Sequence, residues 1–332
     1  MTTISVVMPT YNRLEQLKLV LAGLERQVCP LTDFEVVVVS DGSIDSTNEY
    51  LRDLVTPLRL ISIVQTNQGP AAARNRGISE ATGDIILFLD DDVVPVPQLI
   101  EEHLQSHSML GDEVVVIGPM LTPPNFSLSP WVEWMQNRLS NQYEAMENGL
   151  WEPTARQFYT GNASIARHHL IDNGGFDPTF FRAEDVELAF RLADRGLRFI
   201  FNPKAVGFHC ETRSFSSWID IPYAYGRNDV IFSLQKGQPW LLETVFNEFH
   251  ERPLLIRGLI HLCLDRPQLS KAVCALAKRM ANTGQQFQLS TISHLGCSCI
   301  FNLRHYQGVA DELGGREKFF SGLAKNLTIA TF

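Results

Sequence analysis

Three adjacent aspartates, Asp90-Asp91-Asp92, close an apolar run over residues 84–89. Carboxylates set side by side repel one another, and a cation among them relieves the cost. Hard divalent ions such as Mg2+ or Mn2+ take oxygen ligands, keep several waters and bridge to substrate phosphates. A solvated acidic loop is the plainer account of the same triplet. If strand geometry continues through it, Asp90 and Asp92 lie on the opposite side to Asp91, so not all three need be ligands. A second stretch, residues 67–77, reads Asn-Gln-Gly-Pro-Ala-Ala-Ala-Arg-Asn-Arg-Gly. Gly69 and the alanines let a ligand or another backbone come close, and Arg74 carries a planar, permanently charged fork suited to phosphate. Taken alone, a small-residue helix on a sheet, with Arg74 and Arg76 as surface charges, would explain that stretch.

The rest of the sequence supplies elements to position these groups. Residues 4–8 read as a buried strand, followed by Leu14, Leu17, Leu21 and Leu24 at helical spacing. Residues 34–39 form a second strand, Asp41-Gly42-Ser43 a turn and cap, and 46–54 a helix. Strands follow at 58–64, 84–89 and 114–117, with 71–78 helical in composition. Strands alternating with helices predict an α/β fold, a mostly parallel Rossmann-like sheet with helices on both faces. Ligands in such sheets sit outside the carboxyl ends of the strands. Three polar turns fall there: Pro9-Thr10-Tyr11-Asn12-Arg13, Ser40-Asp41-Gly42-Ser43, and the aspartates. Each alone is an ordinary turn, and three facing one edge outline a site.

Past Gly118 the pattern loosens through Pro119, Pro123, Pro124 and Pro130 into an aromatic helix over 131–143. A strand over 158–166, a helix over 185–195 and strands over 197–201 and 205–209 come next. From about Phe215 the chain is helical, without strand alternation.

Five segments, in order, resemble the signature of family-2 glycosyltransferases with the GT-A fold. They are Val7-Met8-Pro9-Thr10-Tyr11-Asn12-Arg13, Val39-Ser40-Asp41-Gly42-Ser43, Gly69 through Arg74-Asn75, and Phe88-Leu89-Asp90-Asp91-Asp92. The fifth is Gly174-Gly175-Phe176-Asp177 with Ala183-Glu184-Asp185-Val186-Glu187-Leu188-Ala189-Phe190-Arg191. The resemblance runs from Ser5 to His209. It implies a GT-A domain over 1–214, with a nucleotide-binding half at 1–118 and an acceptor or catalytic half at 119–214, followed by a helical extension over 215–332.

The activity implied is metal-assisted, inverting transfer of a sugar from a nucleotide diphosphate to an acceptor hydroxyl. The nucleotide is most naturally uridine, the metal Mn2+ or Mg2+, and the acceptor a glycan, a lipid or another molecule, as in polysaccharide biosynthesis. By the same resemblance Thr10, Tyr11 and Asn12, with Pro9, Arg13 and Gly69, line the nucleotide pocket, and Asp41 accepts a hydrogen bond from the base. Arg74 lies near the nucleotide or its diphosphate. Asp91 approaches the ribose or the metal shell, and Asp92 is the most direct metal ligand, with Asp90 beside it. His209 matches a further metal or phosphate contact, with an ordinary structural histidine as the equal alternative. Tyr159-Thr160-Gly161-Asn162-Ala163-Ser164-Ile165 looks like the stretch beneath the transferred sugar, where Gly161 and Asn162 allow close contacts to hydroxyls. A bulged strand explains it equally well. Glu184-Asp185 matches the position of the base. Asp185 is favoured for that role, and Glu184 is the alternative base or an acceptor-positioning group. Both acids also suit the first turn of a helix, whose dipole favours them.

Composition sets the outer bounds. A chain of 332 residues, 45% hydrophobic and 20% charged, suits a packed globular protein of one large or two fused domains. A net charge of −9 argues against nonspecific nucleic-acid binding, while a metal and local arginines still admit an anionic ligand. The six cysteines follow no disulfide framework and read as reduced thiols. No basic segment leads into an apolar stretch at the N-terminus, and no long apolar window suggests a membrane span. A cytoplasmic location is therefore expected. Residues 240–264 leave open either a packed helical extension or peripheral contact with the inner face of a membrane. His294, Cys297, Cys299 and His305 match no closed four-ligand zinc spacing. Trp131, Trp134 and Trp151 have faces that could stack on a sugar, but core packing is the plainer use of them.

Two other functions compete. A sugar nucleotidyltransferase would carry a glycine-rich loop with Arg and Lys after the first strand, and Pro9-Thr10-Tyr11-Asn12 is not that loop. A non-catalytic nucleotide-sugar or glycan-binding module would not need both the aspartate triplet and Glu184-Asp185. The donor sugar, the acceptor and the oligomeric state are not legible in the sequence.

Overall fold

Four consecutive valines, Val36 to Val39, have no polar face to turn outward, and they form a central strand buried along its whole length. Residues 3–180 and 182–329 are described in the computed structural model. Met1, Thr2 and Phe181 of the expected GT-A domain, and residues 330–332 of the expected extension, lie outside the described residues. The strands are β1 (Ile4–Thr10), β2 (Phe34–Asp41), β3 (Leu60–Gln65), β4 (Ile85–Leu89) and β5 (Val93–Pro95). They continue as β6 (Val114–Ile117), β7 (Met120–Leu121), β8 (Asn162–Ala166), β9 (Arg198–Phe201) and β10 (Gly207–His209). Helices among them are α1 (Leu14–Leu24), α2 (Thr47–Asp53), α3 (Pro70–Glu80), α4 (Leu99–Leu110), α5 (Pro130–Glu147), α6 (Arg167–Asp172) and α7 (Glu184–Asp194).

Seven strands form one sheet in the order β3-β2-β1-β4-β8-β6-β9. β8 runs antiparallel to both its neighbours and the other pairings are parallel. Alternation along β1 assigns its two faces. Ile4, Val6 and Met8 join the core that holds Leu17, Leu21 and Leu24 of α1 and Leu99 of α4. Val7 faces α3, where a Cβ on Gly77 would stand 2.4 Å from a Val7 methyl. Only glycine lets helix and sheet approach so closely there. A second sheet, β5-β10-β7, pairs His209 with Val93 across an antiparallel step. Neither β5 nor β7 is legible as a strand, because three- and two-residue segments are too short to show a period. The expected strand over 158–166 is shorter than read, since the Asn162 N–H donates to the Tyr159 carbonyl at 3.3 Å in a turn that precedes β8.

Contacts divide the chain into two units, Met1–Ser127 with Gln136–Glu211, and Leu128–Met135 with Thr212–Phe332. The expected boundary at 214/215 therefore shifts, and residues 128–135 join the helical unit. The reason lies in their side chains. Trp131 Nε1 donates to the Arg213 carbonyl at 2.8 Å, and the Trp134 ring packs against Trp218 and Phe301. This unit is built from α8 (Phe215–Trp218), α9 (Asp220–Gln235), α10 (Trp240–Glu251), α11 (Leu254–Cys263), α12 (Pro267–Gln286), α13 (Ser290–Leu313) and α14 (Arg316–Ile329). Glycines bring α9 and α13 into backbone contact: a Cβ on Gly226 or on Gly308 would lie 2.0 Å from a carbonyl oxygen of the other helix. Residues 240–264 become α10 and α11. They bury Val245, Phe249, Ile256 and Ile260, and leave Leu254, Leu255 and Leu262 exposed. No described helix is long and apolar enough to cross a membrane.

Candidate active site

Parallel register carries β1 and β2 to one edge together, with Thr10 opposite Ser40 and Asp41 opposite Gln65. The turns after them are locked to each other. Asn12 sits in the left-handed region at φ 55°, a conformation its short amide tolerates. Its Oδ1 accepts from the Ile44 and Asp45 amides at 2.8 and 3.3 Å, and its own N–H donates to Ser43 Oγ at 3.1 Å. Thr10 is buried and Tyr11 is 48% exposed. Pro9 lies within β1.

Asp41 accepts from Gln65 Nε2 at 2.8 Å, the Gln68 N–H at 2.9 Å and the Gly69 N–H at 2.8 Å. A carboxylate offers roughly four acceptor positions, so about one remains for a ligand. Gly69, at φ 89°, delivers its N–H to Asp41 and then starts α3, with Pro70 in the first turn.

The aspartates do not continue the strand. The Val93 N–H donates to the Asp90 carbonyl at 3.0 Å, which makes a turn, and the turn sends the carboxylates to different partners. Asp90 accepts from Arg74 Nη2 at 3.0 Å. Asp91 accepts from Arg13 Nη1 at 3.0 Å, and the same nitrogen donates to Asp92 at 2.5 Å. His209 Nε2 stands 3.4 Å from Asp92 Oδ1. The expected metal set of Asp90, Asp92 and His209 is thus split. Asp92 and His209 meet, whereas Asp90 is turned to Arg74. Among the described residues no group of three His, Cys, Asp or Glu side chains is assembled to hold a metal ion.

Burial pushes the Asp91 carboxyl up, and with Asp92 beside it the value reaches about 7 although Arg13 opposes the rise. For His209, burial disfavours the charged ring, but the Asp92 hydrogen bond and the charges of Asp92 and Glu211 outweigh it and raise the pKa. Glu211 and Gln136, both buried, were not singled out from the sequence. Gln136 Nε2 lies 3.3 Å from His209 Nδ1 and 3.5 Å from Glu211 Oε2. A signal for Glu211 existed, because it follows the strand histidine by two residues and so shares its side.

Arg74 is buried, and its guanidinium joins Asp90 to Glu184 Oε1 at 2.8 Å. The Phe176 ring lies 5.7 Å beneath it. Asn75 holds the Phe176 backbone by accepting from its N–H and donating to its carbonyl, both at 2.8 Å. Glu184 and Asp185 open α7, where Ala183 takes φ 60° and offers no side-chain cap. Asp185 accepts the Val186 N–H at 2.8 Å. Burial and the charge of Glu184 raise its pKa to about 7, against the pull of Arg74.

The Asn162 side chain, expected beneath the transferred sugar, is turned into the protein interior. It is fully enclosed, donating to the Pro119 and Ala205 carbonyls at 3.2 and 2.7 Å, and its Oδ1 lies 3.0 Å from His103 Nε2. Carbonyls only accept, so the amide NH2 must face them and His103 must donate to Oδ1. Asn162 braces the chain, and the neighbour that meets the site is Gly161, where a Cβ would stand 3.0 Å from Asp90 Oδ2.

The profile described as Glycosyl transferase family 2 matches residues 5–174. The validoxylamine A glucosyltransferase of Streptomyces hygroscopicus subsp. jinggangensis is 32% identical over 219 residues, which cover 58% of this chain and 52% of that protein. Glycosyltransferase AglE of Haloferax volcanii is 26% identical over 247 residues, 73% of this chain and 75% of that one. The chain spans about half the length of the Streptomyces relatives it matches. Among solved structures, S. aureus TarS 1-349 in complex with UDP-GlcNAc superposes with a TM-score of 0.59 at 20% identity, covering 92% of this chain and 90% of that one. The mannosyltransferase PcManGT of Pyrobaculum calidifontis, in complex with GDP-Man and Mn2+, gives 0.56 at 19% identity, covering 100% and 81%. Motifs, sheet order and comparisons agree: the chain belongs to glycosyl transferase family 2 and has the GT-A fold.

Proposed function

We propose that this protein transfers a sugar from a nucleotide diphosphate, most naturally a uridine one, to an acceptor hydroxyl by a single, metal-assisted displacement with inversion. One observation carries the reading: the Arg74 guanidinium joins Asp90 of the acid turn to Glu184, the neighbour of Asp185, so donor-side and acceptor-side carboxylates share one cation. The nucleotide lies along the turns after β1 and β2. Asp41 offers its remaining acceptor position to a base N–H, as uracil N3 would present, and Tyr11 offers an exposed ring. The UDP-GlcNAc and GDP-Man complexes of the structural neighbours support a nucleotide-sugar donor.

Asp92 and a neutral His209, one hard oxygen ligand and one imidazole nitrogen 3.4 Å apart, are the side chains that would hold a divalent cation, whose other positions would go to water and the diphosphate. Six carboxyl groups, Asp90, Asp91, Asp92, Glu184, Asp185 and Glu211, outnumber the guanidinium groups of Arg13 and Arg74, and this excess of acids would repel a diphosphate without such an ion. When bound, it supplies charge neutralisation for the diphosphate leaving group. Asp185 takes the acceptor proton as the hydroxyl attacks the anomeric carbon, and burial holds its pKa near the working range of a general base. Glu184, tied to Arg74, fixes the first turn of α7 and so the direction of Asp185. The acceptor is a glycan, lipid-linked or other hydroxyl.

A panel of nucleotide-sugars read by thermal shift tests this reading, because a ligand that binds only the folded state raises apparent stability. A uridine diphosphate sugar with Mn2+ is expected to raise Tm more than either alone. A flat response across the panel with Mn2+ would rule the reading out.

A further inference from the structure

The chain carries a net charge of −9, yet residues 266–310 hold five Lys or Arg and no Asp or Glu. Within them, residues 280–303 carry no Lys, Arg, Asp or Glu at all. This stretch forms α12, a short turn and most of α13. The two helices pack through glycine. A Cβ on Gly284 would stand 2.4 Å from the Ser293 nitrogen, and one on Gly296 would stand 2.5 Å from the Ala277 carbonyl oxygen. Hydrogen bonds close the turn between them: the Leu289 N–H donates to the Gly284 carbonyl at 2.7 Å, and the Ser293 N–H to the Leu289 carbonyl at 3.1 Å.

The outer side of this hairpin is apolar and basic together. Leu276, Arg279, Thr283 and Phe287 recur at spacings of three, four and four, which lines them along one side of α12 and its C-terminal cap. Leu276 is 62% and Phe287 64% exposed, and the turn adds Leu289 at 49%. Ile292 and Leu295, in the first two turns of α13, are exposed as well. Arg266, Lys271 and Arg279 are exposed and form no ion pair among the described residues. The other two cations are used inwardly, Lys278 lying 4.2 Å over the Phe215 ring and Arg304 4.6 Å over Tyr223. Glu133 is an acid that touches the hairpin, accepting from Gln285 Nε2 at 3.0 Å. Gln285 follows Leu276 by nine positions and so lies on the opposite side of the helix.

A contiguous apolar surface marks a contact, and the charge pattern calls for a partner that is also negative. A second copy of this acidic chain would supply the charge. Five partly exposed side chains at one hairpin fall short, however, of the roughly 800 Å2 a side that a stable protein interface buries. A bilayer sets no such minimum, and its headgroups lie where a long basic side chain reaches when its stem is buried. We propose that the outer side of the α12–α13 hairpin docks on an anionic lipid surface. Leu276, Phe287 and Leu289 enter the boundary between headgroups and acyl chains, while Lys271 and Arg279 stay at the headgroup phosphates. The docking is independent of the proposed chemistry, since no residue of the acid turn takes part in it.

Flotation of the full chain with vesicles tests this, using phosphatidylcholine alone and phosphatidylcholine mixed with phosphatidylglycerol. The wild type is expected to float with the mixed vesicles and to bind less as salt rises. F287S/L289S should lower the partition coefficient at least about tenfold. K271Q/R279Q should lower it on the mixed vesicles by about fivefold for each charge removed, and gives an independent reading if the first variant does not fold. L254S/L255S alters exposed leucines of α11 outside the acid-free stretch and should bind as wild type. No flotation of the wild type, equal binding to both vesicle types, or full binding by F287S/L289S overturns the proposal. Loss of binding in L254S/L255S alone would move the contact to α11 and overturn it too. So would self-association of the wild type that F287S/L289S abolishes, without flotation, because a second copy would then cover this face.

Discussion

Arg74 and Glu184 lie 110 positions apart in sequence and meet at 2.8 Å, and the same guanidinium holds Asp90 at 3.0 Å. The contact joins the second turn of α3 to the start of α7, across the carboxyl end of β4. A flexible residue at position 74 would leave two acids facing each other across a buried gap. A planar fork with separate nitrogens for each acid fixes their separation.

Lysine cannot reproduce that fork, because its ammonium is a single point charge. R74K is expected to lower kcat/KM for nucleotide release at least about tenfold, as expected when positioning is lost. R74A, which leaves Asp90 and Glu184 unpaired, should destabilise the chain by about 3–5 kcal/mol. Urea titration and a coupled UDP-release assay measure the two. Wild-type turnover by R74K would show that the bridge is dispensable.

Asp185 provides a kinetic signature. D185N should reduce acceptor-dependent UDP release by about 10²–10⁴ and leave UDP binding at the wild-type level. Only the ionised carboxylate accepts a proton, and burial with Glu184 nearby raises its pKa to about 7. The kcat/KM of the wild type should therefore be low in acid, rise through about pH 7 and level off above it. E184Q removes the neighbouring charge while keeping an acceptor for Arg74, so its profile should shift to lower pH. A D185N enzyme with an unchanged rate would remove this residue from the chemistry.

A polar chain beneath the sheet makes stability acid-sensitive. His107 Nε2 contacts Ser164 Oγ at 2.9 Å, Ser164 Oγ contacts His103 Nδ1 at 2.8 Å, and His103 donates to Asn162. Burial pushes the His103 pKa from 6.5 down to about 4, and also lowers that of His107. The unfolded chain takes up the proton first, so stability is fully present above the ordinary histidine pKa. It declines as pH falls toward the folded value, by up to about 1.4 kcal/mol per pH unit for each histidine. H103Q should flatten this dependence in urea midpoints measured between pH 4 and 6.5. A slope equal to wild type would assign the acid sensitivity elsewhere.

Two helical glycines should respond in opposite directions. A Cβ on Gly308 meets the Tyr223 carbonyl oxygen at 2.0 Å, and that oxygen is backbone and cannot step aside. G308A should force α9 and α13 apart and destabilise by about 1–3 kcal/mol, the usual cost of overpacking. Gly258 in α11 has nothing within 4 Å of its would-be Cβ, so G258A should raise stability by up to about 1 kcal/mol through helix propensity. Calorimetric Tm values check both, and a neutral G308A would contradict the tight crossing.

Local pattern carried the sequence reading where neighbours in the chain are neighbours in space. The apolar runs of β1, β2 and β4 and the polar turns after them were legible because parallel strands keep their ligand edge together. Pairings between distant segments were not. Nothing near Arg13 reveals that it reaches Asp91, 78 positions on, and nothing near Asn162 announces the carbonyls of Pro119 and Ala205. An asparagine beside a glycine reads the same whether it faces a sugar or a wall of backbone. Charge balance was the missing signal for Arg13: three carboxylates in a row require cations, and a single buried arginine could not satisfy them all.

The polypeptide crosses between its two units three times, since residues 128–135 belong with the helices that follow Thr212. Trp131 and Trp134 are therefore made early and used late. On the ribosome both indoles emerge some eighty residues before Trp218, and they wait uncovered until Trp218 and then Phe301 are synthesised. Neither half can be cut free at Glu211 without leaving one fragment with stranded tryptophans and the other with a hole where they belong.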